Sequence, residues 1–188
     1  MSEQEFFTVN HTMTVNVEVM TVNFSLPSVE KFEAEIPAPF IVASEFSNLD
    51  LLNDAARNEL KNSDFKHVVQ LLDNQNSKLN LLLTFMLSQQ DDPSVRFQTH
   101  SFGASQFTYF SPEQLDVDQK VRAKLFLEHP AAAVYCYGHV SQIEKVDDTY
   151  LVTVKYDLLR ELDEDLLIKA ALHQQQKLLR QRSLDRDK

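Results

Sequence analysis

The 188-residue chain carries 28 acidic and 18 basic side chains, a formal net charge of −10. It therefore lacks the basic surface that releases counterions from a nucleic-acid backbone. Only two glycines, Gly103 and Gly138, and one cysteine, Cys136, are present, which excludes phosphate loops, dinucleotide fingerprints and an internal disulfide.

The length suits one well-buried domain with an appendage. No apolar run approaches a membrane span, so a soluble protein without membrane insertion is expected. The acidic start Met1-Ser2-Glu3-Gln4-Glu5 has neither the basic residues nor the apolar stretch of a secretory signal. Together with the unpaired cysteine this predicts a cytoplasmic protein.

From Phe7 to Val19, apolar residues (Val9, Met13, Val15, Val17, Val19) alternate with polar ones, predicting one half-buried strand or two collinear ones. The parity flips afterwards, at Met20, Val22, Phe24 and Leu26, which predicts a bulge or turn near Val19 and Met20. A short strand is predicted over Phe32 to Ile36, ended by Pro37 and Pro39.

Between Ser47 and Gln89 the period changes. Ser47 with Asp50 resembles a helix cap, and Leu49, Leu52, Ala56 and Leu60 predict a helix to about Lys61. Asn62-Ser63-Asp64 reads as a break. Phe65, Val68, Leu72, Gln75, Leu79, Leu82 and Met86 then follow alternating steps of three and four, a heptad seam. Val69, Leu71, Leu81, Leu83, Phe85 and Leu87 widen the stripe. Two readings remain: a helix packed on its own domain, or a bundle of several chains, which the wide stripe favours.

Strand signatures return at Val95 to Gln98, Gln106 to Phe110, Val121 to Leu127, Val134 to Ile143 and Tyr150 to Tyr156, suggesting a barrel or sandwich. A last helix is predicted from about Asp163 to Gln181. Because an isolated two-stranded unit is marginally stable, the N-terminal strands should pair with the later ones. Residues 1–40 and 93–188 then form one β-domain with residues 41–92 inserted as a helical arm.

Chemistry-bearing clusters are sparse. His11, His67, His100, His129, His139 and His173 are scattered, with no His-x-x-x-His pair, so no metal site is expected. Cys136 alternates with Val134, Gly138 and Val140 and reads as a small core residue. Glu161, Asp163, Glu164 and Asp165 read as a charged helix start, and Lys177, Arg180, Arg182 and Arg186 as a solvated helix end. No acid, base and nucleophile can be paired, so no enzyme activity and no cofactor is expected. Gly103 lies in a small polar turn, Ser101-Phe102-Gly103-Ala104-Ser105-Gln106, of the kind that presents side chains to a ligand.

The order of elements over residues 4–36 and 94–182 resembles a PilZ domain of the atypical, degenerate kind. The resemblance rests on Ser101 to Phe110, Val121-Arg122-Ala123-Lys124-Leu125-Phe126-Leu127, Tyr137-Gly138-His139-Val140, Leu151 to Tyr156 and the closing helix. It implies a mainly β fold with α elements: a six-stranded antiparallel β-barrel with a helical insertion and a C-terminal helix. The family binds cyclic di-GMP through Arg-x-x-x-Arg and Asp/Asn-x-Ser-x-x-Gly. Here Gln4 and Thr8 stand where the arginines belong, and Ser101, Gly103 and Gln106 where the acid or amide, the serine and the glycine belong. Two missing cations remove charge-assisted bonds worth roughly 1.5–3 kcal/mol each, which predicts a degenerate nucleotide site. Some atypical members carry inserted heptad helices that assemble tetramers, so the resemblance also implies a homo-oligomer built on Phe65, Val68, Leu72, Leu79, Leu82 and Met86, with Gln75 as a polar layer. It implies a signalling protein of motility, attachment or biofilm regulation that acts through an unidentified protein partner. The alternative is a cyclic di-GMP effector with a relocated site at Arg96, Arg122, Arg180 or Arg182.

Overall fold

Period-two alternation decides where the strands fall. A computed structural model describes residues 7–61 and 64–186. It contains β1 (Thr8–Asn10), β2 (Thr14–Val19), β3 (Arg96–Gly103), β4 (Gln106–Ser111), β5 (Lys120–Leu127), β6 (Ala132–Val146) and β7 (Thr149–Leu158). Every pairing is antiparallel. The sheet runs β3-β2-β5-β6-β7-β4, and β4 returns to β3, closing a six-stranded barrel. Closure pairs each of these six strands on both sides, which removes the open edges of a flat sheet.

The first strand is two collinear pieces. β1 lies along the Ser101–Gly103 end of β3, with Val9 opposite Phe102, and β2 along its other end, with Val15 opposite Phe97. Thr99 spans the interruption: its hydroxyl donates to the His11 carbonyl at 2.7 Å and accepts from the Met13 N–H at 3.1 Å. A bulge in β3 between Thr99 and Ser101 accompanies the break. After Val19 there is a turn and no second strand: the Phe24 N–H donates to the Thr21 carbonyl at 2.9 Å.

Residues 32–36 are not a strand. They belong to α1 (Val29–Glu35), capped by the Ser28 hydroxyl, which accepts from the Lys31 N–H. Phe32 and Ile36, both buried, fit a four-residue helical step as well as a two-residue alternation. The following helix, α2 (Ala38–Lys61), starts nine residues before Ser47. Pro39 opens it rather than ending a strand, because first-turn N–H groups have no intrahelical partner to lose. Its first half buries Phe40, Ala43, Ser44 and Ser47.

The expected break at Asn62-Ser63 lies outside the described residues. α3 (Lys66–Ser88) returns antiparallel to α2, tied to it by Arg57–Asp73 at 3.0 Å. A short 3-10 turn, Pro93–Val95, leads into β3. α4 (Glu161–Arg186) closes the chain and buries Leu166, Leu167, Ala170 and Ala171 beside β1 and β3.

Val15, Val121, Leu125, Val134, Val140, Val152 and Val154 form part of the core, none exposing any surface. β6 is buried on both faces from Ala132 to Gly138. Helices explain the second face: Phe32 lies 5.8 Å from the Tyr135 ring and 6.2 Å from the Tyr137 ring, and Phe40 meets Phe126 edge-on at 5.9 Å. No helix among the described residues is long and apolar enough to cross a membrane.

Candidate functional site

Pairing of β1 with β3 brings together two parts of the sequence-predicted nucleotide site. Thr8 stands directly opposite Gly103; Gln4 lies outside the described residues. A side chain at position 103 would meet the backbone oxygen of Phe7, so the strands are in close backbone contact there. Ser101 is buried and its hydroxyl is shared with Thr108 at 2.7 Å, while its N–H also donates to that hydroxyl at 3.0 Å. Gln106 is set apart on β4, opposite Lys155 of β7. The polar atoms that would face a nucleotide are thus spent inside the barrel wall at Ser101, and no cation stands at Thr8.

The strand arginines are committed as well. Arg96 pairs with Asp91 at 2.8 Å, and Arg122 holds Glu18 through both its Nε, at 3.1 Å, and its Nη2. Arg180 and Arg182 lie exposed along α4.

The arm presents a different kind of surface. Against α2 and the barrel, α3 uses positions 69, 73, 76, 80, 83 and 87, of which Val69, Leu83 and Leu87 are buried. That series also steps by four and three. It is offset by one residue from Val68, Leu72, Gln75, Leu79, Leu82 and Met86, which all remain exposed, as does Phe65. One residue on a helix is a rotation of about 100°. Two adjacent heptad faces therefore exist, one filled within the chain and one open. Leu71, Leu81 and Phe85 extend the open face.

Two polar clusters, one buried and one partly so, escaped the sequence reading. Asp163 is fully buried instead of solvated with Glu161, Glu164 and Asp165 at the helix start. It accepts from Arg160 at 2.7 and 2.8 Å and from the Ser44 hydroxyl at 3.0 Å, locking α2 to α4. Burial raises its pKa against the opposing pull of Arg160 and Ser44. The signal was present as Arg160 three residues ahead of Asp163, but the spacing says nothing about burial. The second cluster joins the Tyr137 hydroxyl to Glu35 at 2.7 Å, with Phe24 stacked on the Tyr137 ring at 5.4 Å. Cys136 is a core residue, as its alternation suggested, and burial pushes its thiol pKa up, away from the reactive thiolate.

The β5–β6 turn, Glu128 to Ala131, forms one wall of an open cleft of about 800 Å³ whose other walls are α3 and α4. His129 and His173 face each other across it with ring centres 6.3 Å apart.

No family model and no curated protein matches the sequence. Among solved structures, a pathogenic protein of Xanthomonas campestris superposes with a TM-score of 0.58 at 10% identity, over 94% of this chain and 91% of its own. That protein is described as a new tetrameric PilZ domain self-assembled through an unusual helical bundle. The fold is that of a PilZ domain. The match takes in the PilZ barrel and its helical insertion alike, since it spans nearly the whole chain. The inhibitor of motility of Bacillus subtilis (MotI/DgrA) matches at 12% identity and a TM-score of 0.42, over 44% of this chain and 43% of that protein.

Proposed function

We propose that the chain is a non-enzymatic, cytoplasmic signalling protein on a PilZ fold, which self-assembles through its arm and acts through protein contacts in motility, attachment or biofilm control. The observation that carries this reading is the open heptad face of α3, with Val68, Leu72, Leu79, Leu82 and Met86 exposed beside a filled face offset by one residue. An apolar stripe of that length in water is stabilised by a second helix that covers it. The Xanthomonas protein, described as a tetramer built on a helical bundle, supports the same use of the insertion here.

The nucleotide positions support action without the family's usual ligand. Thr8 and Gly103 leave the site without a cation, and the Ser101 hydroxyl is engaged with Thr108. A relocated site at Arg96 or Arg122 would have to displace Asp91 or Glu18 first. Light scattering on the intact protein tests the assembly: a mass that is a multiple of 21.7 kDa at micromolar concentration is expected, and a monomer rejects the reading.

A further inference from the structure

The cleft between α3, α4 and the Glu128–Ala131 turn has the size of a small-molecule site, about 800 Å³. Its lining divides by chemistry. Leu81, Pro130, Ala131 and Leu166 supply apolar wall, whereas His129, Lys169 and His173 supply basic groups at its α4 side. Next to it, His11 and Lys177 line a small pocket that shares Glu128, His129 and His173 with the cleft. His11 feels these neighbours: burial lowers its pKa, Glu128 opposes that, and Lys177 and His129 reinforce it. Beyond the end of α3, a second pocket of about 420 Å³ shares Thr84, Glu128 and His129 with the cleft.

Several cations elsewhere in the fold are paired. Arg57, Arg96, Lys120, Arg122 and Arg160 each pair with a carboxylate. Lys169, Lys177, His129 and His173 have no ion-pair partner among the described residues, and Glu128 is the one acid in the cleft lining. In a chain of net charge −10, Lys169, Lys177 and the imidazoles of His129 and His173 are gathered around one cleft.

We propose that this cleft binds a small amphipathic anion, its apolar body against Pro130, Ala131 and Leu166 and its acidic group held by His129, Lys169 and His173.

Anilinonaphthalene sulfonate, an aromatic body bearing one sulfonate, is a suitable probe, titrated by fluorescence into the intact protein. A saturable site is expected. Lys169→Glu and His173→Gln, both on the exposed side of α4, should each weaken it by about tenfold, the worth of one charge-assisted contact. Leu82→Asp, on the open face of the arm, should leave it unchanged. Affinity that survives Lys169→Glu and His173→Gln overturns the proposal, and affinity that falls with Leu82→Asp overturns it by placing the dye on the arm.

Discussion

Asn16 on β2 and Asp92 at the end of the arm grip each other through both ends of the Asn16 amide. The side-chain oxygen accepts from the Asp92 N–H at 2.8 Å, and the side-chain nitrogen donates to the Asp92 carbonyl at 3.2 Å and to the Asp91 carboxylate at 2.8 Å. Arg96 and Lys124 strengthen the same junction by binding Asp91 and the Gln90 carbonyl. The arm's return is thereby fixed to the barrel wall. Asn16→Ala removes every one of these amide bonds and should lower stability by about 1–3 kcal/mol. Denaturant unfolding measures the loss, and hydrogen exchange at Asp92 should speed up with it.

This junction shows what the sequence could and could not reveal. Barrel strands were legible because Val121, Ala123, Leu125 and Leu127 alternate cleanly and face one core. Asn16 occupies a polar position in the same kind of alternation, which predicts exposure, yet it is 3% exposed because the arm folds over it. Phe32 and Ile36 failed for a related reason: their spacing satisfies both periods, and only packing against Tyr135 and Tyr137 decides for the helix. The cleft was illegible altogether, since His129 and His173 are far apart in sequence and meet only when α4 lies beside the β5–β6 turn. The heptad seam was legible as a pattern, but the neighbouring seam at Val69, Leu83 and Leu87, which holds the arm to its own domain, was folded into a single wide stripe.

The two faces of α3 should respond differently to substitution. Leu79→Asp places a charge on the open face and should reduce the assembly to protomers by light scattering, with each protomer still folded by circular dichroism. Leu83→Ala empties a buried site that joins the arm to the core cluster, and should cost about 2–5 kcal/mol of unfolding free energy without changing the assembly.

Asp163 makes stability depend on pH. Its carboxyl is raised above the ordinary value of 3.8 by burial, so the folded state holds the proton more tightly than the unfolded chain does. The contribution is fully present below pH 3.8 and is lost as pH rises through the raised folded value. Asp163→Asn cannot titrate, so the stability of the native protein relative to this variant should fall as pH rises through that window and level off above it. Urea unfolding of both proteins across acid pH gives the difference directly.

Cyclic di-GMP should give no measurable heat with the purified protein at micromolar concentrations. Two absent guanidinium groups forfeit about 1.5–3 kcal/mol each, more than a hundredfold together. Isothermal calorimetry checks this, and Arg96→Ala or Arg122→Ala should leave the result unchanged because both side chains serve Asp91 and Glu18.

Gly103 tests whether the nucleotide positions could be rebuilt. The family pattern places a serine at this position, but here β1 runs against it, with Thr8 directly opposite and the Phe7 carbonyl oxygen in the space that a Cβ would need. Backbone, unlike the end of a flexible side chain, cannot swing aside, so β1 must shift away from β3. Gly103→Ser should therefore cost about 1–3 kcal/mol, the usual penalty of overpacking, without creating nucleotide affinity. Faster amide exchange across Thr8–Asn10 would locate the damage in β1. Because α4 packs on β1 as well as β3, exchange should also rise around Ala170 and Ala171, where the helix loses one of its supports.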